Sequence, residues 1–575
     1  MLKRSILFSF ILIFSLTLAY SQLSIIPEPV SLTQKTGEYK FGSSISISAV
    51  QNNAAVRKTA DWLKQKLSVT GLPVSITGEK GNIQLLLNTN ANAAIGKEGY
   101  TLVSSSEGVS ITANEPAGLF YGVQTLLQLM PAEVESKSVV KNINWTVPAV
   151  EITDYPRFGW RGLMFDISRH FFNKEQIKQY IDAMVKYKYN LLHLTLSNDE
   201  GWRVEIKALP KLNSVGSWNV KRVGTFGNFI PPTDDEPRDY GGYLTHADVR
   251  ELVQYAQDRF VNILPEIDVP GHSLAAIASY PELSCTPGAE KYKVRSGEKI
   301  MEWPANGHFY GLIDNTLCPA KEEVYTFLDK VFTEVAQLFP FEYIHMGGDE
   351  TARNFWEKTP AIKELMKREN LKNLDEVQSY FVKRVEKIIN SKGKKMIGWD
   401  EILDGGLAPN AAVMSWRGMK GGIEAAKMGH EVVMSPTTYT YIDYMQGDRI
   451  LEPPVYATLR LSKTYEFEPV PEGVDAKYIK GGQANLWTEQ VYNMRHAEYM
   501  TWPRAFSVAE TVWSPKAKKN WENFVPKVEE HFRRFDFAQT KYAPSMYEPD
   551  FKFTKDVKNR ITVEMKTEVA NISIH

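Results

Sequence analysis

The segment Tyr343-Ile344-His345-Met346-Gly347-Gly348-Asp349-Glu350 joins an apolar run to two glycines and two adjacent carboxylates. The run reads as a buried strand, and the glycines break it where the acids begin. Two acids side by side at a strand mouth can present a proton donor, because like charges in contact drive their pKa values apart. An Asp-Glu pair that merely opens a solvated loop is the plainer alternative. Other short apolar runs end in groups of the same kind: Asp166-x-x-Arg169-His170, Asn198-Asp199-Glu200, Glu266-x-Asp268 with Pro270-Gly271-His272, and Trp399-Asp400-Glu401. Trp416-Arg417, then Tyr439, Tyr441 and Asp443, and finally Asn485-x-Trp487-x-Glu489 continue the series. Tryptophans among carboxylates suit a sugar: indole faces pack on the C–H faces of a pyranose while charged groups grip its hydroxyls.

Eight elements must hold these groups. The runs Leu163–Asp166, Leu191–Leu196, Ile263–Asp268, Tyr343–Met346, Lys395–Trp399, Ala412–Trp416, Glu431–Ser435 and Ile479–Trp487 read as strands. Amphipathic helices lie between most of them. One runs from Asn173 to Tyr187, with Gln176 placed to complete its cap, and another from Thr245 to Phe260, opened by the capping box Thr245-x-x-Asp248. A third covers Leu374–Asn390 and stops before Gly393. The alternation predicts an α/β fold, a (β/α)8 TIM barrel whose active site lies at the C-terminal strand ends. An open doubly wound sheet is the rival, but no phosphate-cradling glycine fingerprint follows the first strand. The connections Trp202–Gly242 and Ser273–Cys318 are long enough to shape a binding site.

A smaller α+β domain precedes the barrel. Helices are expected over Ala55–Val69 and Ala117–Met130, strands over Ile83–Leu87, Tyr100–Val103 and Val109–Thr112, and a linker at Trp145–Pro148. The organisation is therefore a signal peptide at 1–21, an α+β domain at 22–148, the barrel at 149–515, and a C-terminal helix with a short β-like tail at 516–575. That tail, Phe551–His575, alternates like strands and could open a further β-domain.

The 575 residues are too many for one ordinary domain, and 43% hydrophobic and 12% aromatic content supplies large cores. A net charge of -1 gives no footprint for nucleic acid or an anionic membrane. Lys3 and Arg4 before the apolar run Ile6–Leu18, then Ala19-Tyr20-Ser21, form a secretory leader, and a retained anchor is the alternative. Location is then periplasmic or extracellular, and no later segment suits a bilayer span. Export permits a bridge between Cys285 and Cys318, and two buried thiols remain open as well. Cysteine spacing offers no metal site.

The segments His345-Met-Gly-Gly-Asp349-Glu350, Trp160-Arg-Gly-Leu-Met-Phe-Asp-Ile-Ser-Arg-His170, Trp399-Asp-Glu401 and Trp487-Thr-Glu489 resemble glycoside hydrolase family 20, the β-N-acetylhexosaminidases. The resemblance runs from about Gln22 to about Phe535. It implies release of terminal β-linked N-acetylglucosamine or N-acetylgalactosamine from a glycan or chito-oligosaccharide, without a cofactor or metal. It assigns Glu350 as acid and base, Asp349 to the acetamide N–H, and Tyr441 to the acetamide oxygen. Trp399, Trp416 and Trp487 become the walls, Arg161, Glu489 and Asp443 the hydroxyl ligands. His272 with Asp199 becomes a relay behind Glu350, and His345 a supporting core histidine. Arg161 could instead pair with Asp166. The second strand end departs from the family pattern, since Asn198-Asp199-Glu200 stands where two aspartates and a glutamine are usual. A lacto-N-biosidase-like relative, a catalytically silent carbohydrate-binding barrel, and a conventional glycosidase pairing Glu350 with Glu401 or Glu489 are the rival readings.

Overall fold

The computed structural model describes residues 23–49, 53–222, 224–303, 309–447, 452–557 and 559–570. The expected leader, and Ile572 and Ile574 of the tail, lie outside them.

Seven strands form the sheet of the first domain, in the spatial order Ser31–Lys40, Thr146–Asp154, Tyr100–Ser105, Gly108–Ala113, Ile83–Leu87, Ile45–Ser48, Val74–Thr77. Helix Ala54–Leu67 begins at Asn53, whose side chain accepts from the Ala55 and Val56 amides. Helix Pro116–Leu129 is buried on almost every residue, as a helix enclosed on all sides must be. Its Gln128 donates to the Lys186 carbonyl of the barrel, and Arg534 of the last helix donates to its Leu127 carbonyl.

The expected linker at 145–148 is a strand instead. Thr146–Asp154 pairs with both Ser31–Lys40 and Tyr100–Ser105, so the first domain runs on to Asp154. Pro148 suggested a break, but it faces Glu38 where the register of the neighbouring strand shifts. Such an irregularity is where a sheet tolerates a residue that cannot donate.

Eight parallel strands close the barrel: Trp160–Asp166, Leu191–Thr195, Asn262–Glu266, Tyr343–His345, Lys395–Trp399, Ala412–Ser415, Val432–Met434 and Ile479–Leu486. Closure comes from the last strand pairing with the first, Gly482 opposite Arg161 and Leu486 opposite Phe165. Every residue of Trp160–Asp166 is buried, as expected for a strand covered on both faces. Helix Lys174–Val185 carries the Asn173/Gln176 capping box and His246–Gln257 the Thr245/Asp248 one. Cys285 and Cys318 are bridged, S–S 2.04 Å, which ties the long connection after the third strand at its base. Strands Asp550–Lys555 and Ile561–Lys566 form an exposed antiparallel hairpin. Among the described residues no helix is long and apolar enough to cross a membrane.

Candidate active site

The fourth strand ends in a tight reversal that only glycine permits. Gly347 has φ +69, and a Cβ there would lie 1.9 Å from Asp268 Oδ1. Three residues later Glu350 takes φ 45, a left-handed conformation uncommon for a side chain of its size. Backbone strain of that kind persists where the surroundings enforce it, and it clusters at functional sites. His272, with φ 49, follows the cis Val269-Pro270 bond on the third strand end.

The histidine gathers the acids. His272 Nε2 stands 3.2 Å from Glu350 Oε2 and 3.9 Å from Asp349 Oδ2, while Nδ1 stands 3.0 Å from Asp199 Oδ2. Asp199 also accepts from the Leu274 amide and from Asn315 Nδ2. Burial works against both charges, but the mutual contacts prevail: His272 is held well above the ordinary histidine range and Asp199 below the carboxylate range. Burial pushes Asp349 up to about 7, Glu350 adding to the rise and His272 opposing it. Asp349 Oδ1 is buried without a hydrogen-bond partner among the described residues.

Aromatic rings wall the space above the acids. Trp399 donates through Nε1 to Glu266 Oε1 at 2.8 Å and meets Trp487 at 5.8 Å between ring centroids. Trp416 donates to Glu401 Oε2 at 2.7 Å and stacks on Tyr441 at 6.0 Å and 23°. Burial raises the Tyr441 hydroxyl well above its usual range, with Asp443 and Asp349 contributing. Arg169 lies with its guanidinium 4.7 Å from the Trp487 ring and 4.0 Å from Glu489 Oε1. Both Asp443 oxygens are buried without a hydrogen-bond partner among the described residues.

The catalytic-domain model of "Glycosyl hydrolase family 20" matches residues 158–516, and the family's "domain 2" model matches residues 22–155. The chain belongs to glycosyl hydrolase family 20. Within that family, a Beta-hexosaminidase of Porphyromonas gingivalis is 39% identical over 527 residues, 90% of this chain. The chain spans 64% of that relative's length. A Beta-hexosaminidase of Akkermansia muciniphila is 32% identical over 465 residues, 80% of this chain and 87% of its own. A mutant Streptomyces plicatus beta-hexosaminidase, solved in complex with product GlcNAc, superposes at TM-score 0.78 with 32% identity, covering 91% of this chain and 97% of that one.

One family-20 assignment must move. Arg161, expected to bind a sugar hydroxyl, begins its strand rather than ending it, at the foot of the barrel. It donates to Glu98, the Lys188 and Phe158 carbonyls and Tyr121, so it clasps the first domain to the barrel. The Asp166 pairing does not form either; Arg169 takes that contact at 3.6 Å. Parallel strands all point to the mouth, so Arg169, three residues past Asp166, is the arginine that reaches the cavity.

His345 lies below the floor. Its Nδ1 accepts from the Gly347 amide, its ring meets Trp399 edge-on at 4.7 Å, and burial pushes it down to about 4. His193, Glu266 and His345, and separately Asp268, His272 and Asp349, bring ligand-type atoms within 4.8 Å. Glu266 already takes donors on both oxygens, from Trp399 and Thr195. His272 Nδ1 and Nε2 already face Asp199 and Glu350. Glu401 Oε2 accepts from Trp416 Nε1, while its Oε1 has no hydrogen-bond partner among the described residues. Sequence reasoning named no role for Glu266, Asp268, Asn315 or Arg295. The first two stood in motifs at the third strand end. The last two sit in a connection without periodicity and carried no signal.

Proposed function

We propose that the protein is a retaining exo-β-N-acetylhexosaminidase that uses the substrate's own acetamide as nucleophile. The reading rests on one observation above all: a single histidine, backed by Asp199, stands 3.2 Å from Glu350 and 3.9 Å from Asp349. The two acids leave one neighbouring pair of backbone positions, which suits one proton donor and one orienting carboxylate. It does not suit a pair straddling a sugar about 5–5.5 Å apart, as a conventional retaining enzyme requires. Substrate assistance is this family's known exception to that rule.

Bound on the Trp399 and Trp487 surfaces, the terminal sugar folds its acetamide toward Tyr441 and Asp349. The acetamide oxygen attacks the anomeric carbon as the glycosidic C–O bond breaks, and Glu350 gives its proton to the departing oxygen. Asp349 accepts the acetamide N–H and stabilises the positive charge of the oxazolinium intermediate. Tyr441 donates to the acetamide oxygen and holds it beneath the anomeric carbon. Glu350 then takes a proton from water, whose oxygen attacks the anomeric carbon from the original face as its bond to the acetamide oxygen breaks. His272 steadies both acids. Arg169, Glu489 and Asp443 grip the ring hydroxyls that remain, away from the bond being cleaved. The natural substrate would be a glycan or chito-oligosaccharide with a terminal β-linked N-acetylglucosamine or N-acetylgalactosamine, met outside the cytoplasm by a chain exported on its leader.

The test uses p-nitrophenyl β-N-acetylglucosaminide and its analogue with a 2-hydroxyl. The first should be cleaved, and Glu350→Gln should lower kcat by on the order of 10²–10⁴, the usual worth of a positioned acid–base group. Equal turnover of the 2-hydroxy analogue would rule out acetamide participation.

A further inference from the structure

The two long connections meet at the mouth of the barrel and are zipped together. Asn219 Nδ2 donates to the carbonyls of Glu200 and Arg295, at 3.0 and 3.1 Å. The Val220 amide donates to Ser296 Oγ at 3.0 Å, and the Gly227 amide to the Gly297 carbonyl at 2.8 Å. The joined loops then latch on to the second strand end, where the Arg295 amide donates to the Asp199 carbonyl at 3.0 Å.

This places one arginine from a loop behind one arginine of the site. Arg295 is fixed by its Nε donating to the Glu298 carbonyl at 2.7 Å and by its guanidinium lying 4.6 Å from the Phe226 ring. Its Nη1 reaches Glu200 Oε1 at 3.0 Å. The other Glu200 oxygen stands 3.4 Å from Arg169 Nε. Glu200 is 1% exposed, and Arg169 and Arg295 are its two ion-pair partners among the described residues. With Glu200 in ion-pair rather than hydrogen-bond contact with its Nε, Arg169 has its terminal nitrogens toward Asp166 and Glu489. Burial pushes the Glu200 carboxyl up to about 7 and both guanidinium groups oppose that rise, so losing either favours its neutral form and weakens its hold on the other.

We propose that Glu200 and Arg295 act as one positioning device for Arg169, so that the loop after the third strand helps to grip the terminal sugar. The proposal rests on the glycosidase reading and concerns a different quantity, the recognition of ring hydroxyls. Neither residue touches the reacting atoms.

The experiment compares kcat and KM of wild type, Glu200→Gln, Arg295→Met, Arg295→Lys and the Glu200→Gln/Arg295→Met double variant. Substrates are p-nitrophenyl β-N-acetylglucosaminide and its 3-deoxy and 4-deoxy analogues. Each single charge-removing variant should lower kcat/KM for the parent about tenfold, the scale of one displaced charge-assisted hydrogen bond, mostly through KM. The loss should shrink to about threefold or less on the analogue lacking the hydroxyl that Arg169 grips. The double variant should be no worse than the poorer single one, and Arg295→Lys should recover most of the loss. Equal losses on parent and both deoxy analogues, multiplying in the double variant, would reveal a merely structural pair and overturn the proposal. No loss in any variant would overturn it as well. Should Arg295→Met not fold, the isosteric Glu200→Gln decides alone by the same parent-to-deoxy comparison. A wild type that left the parent substrate intact would instead remove the glycosidase reading, and this proposal with it.

Discussion

Arg161 and Arg169 stand eight positions apart, at opposite ends of one strand, and the protein treats them differently. At the foot, Arg161 donates from all three guanidinium nitrogens: to Glu98, Tyr121 and two carbonyls. Beside it Lys188 pairs with Asp154 at 2.8 Å, both side chains fully buried, and Asp154 also accepts from Tyr100 and Trp513. At the mouth, Arg169 has ion-pair contacts at 3.4 to 4.0 Å, and neither its Nε nor its Nη1 makes a hydrogen bond. Asp349 Oδ1 and both Asp443 oxygens share that condition. Buried polar groups are normally paired, so a cluster of them left open in one place marks where a ligand completes the set. Satisfied charge at the foot joins two domains; on the proposed reading, unsatisfied charge at the mouth is kept for a substrate.

Exchanging each arginine for methionine is the strongest way to break this contrast. Arg161→Met should destabilise the fold by about 3 kcal/mol, the lower end for a broken buried pair because Glu98 keeps 27% of its side chain exposed. KM of the folded fraction should not change. Arg169→Met should lower kcat/KM about 10²-fold, from two charge-assisted hydrogen bonds of about 1.5–3 kcal/mol each. Its stability loss near pH 6 should be smaller. Burial already holds Glu200 at about 7 and Glu489 above its usual range, so both can take up a proton once the arginine is gone. Urea unfolding and steady-state kinetics on both variants check the pair, and matching stability losses would erase the distinction.

The pH profile sharpens the mouth side. On the proposed mechanism Asp349 acts in its ionised form, and burial sets its free-site value at about 7. As pH falls through that value the carboxylate is protonated, so kcat/KM should drop about tenfold per unit below it. Bound substrate supplies an N–H to the carboxylate, so the corresponding limb of kcat should lie at lower pH. Asp349→Asn should abolish the limb along with most of the activity; a limb unchanged in that variant would assign it to another group.

How far the sequence carried depended on how local each signal was. The eight barrel strands were legible because short apolar runs ended in chemistry-bearing residues at each mouth. Asp349, Glu350 and His272 were legible as motifs, though not the left-handed turn at Glu350 that aims its carboxylate. Arg161 was misplaced because a motif gives order but not strand direction, and counting from Asp166 would have put Arg169 at the mouth. Thr146–Asp154 was hidden by one proline, and Ser31–Lys40 by a mostly exposed face with no apolar alternation. Arg295 reaches Glu200 from 95 positions away, across two loops that meet only in the folded chain.

The smallest effect tests whether burial, rather than pairing as such, gives the foot its strength. Lys58 on the first domain reaches Asp258 on the barrel at 2.6 Å, a shorter contact than any of the ion pairs around Arg169. Its side chains are 54% and 35% exposed, and Gln254 already donates to the same Asp258 oxygen. Water can replace either partner, and holding two long side chains in place offsets most of the attraction. Lys58→Met should therefore change stability by less than about 1 kcal/mol, and 0.5 M salt should reduce even that, since the Debye length falls to about 4 Å. A loss as large as that of Arg161→Met would mean that the domains are joined by charge across their rim. A negligible one leaves the desolvated cluster of Arg161, Lys188 and Asp154 as the joint, with distance alone a poor guide to its energy.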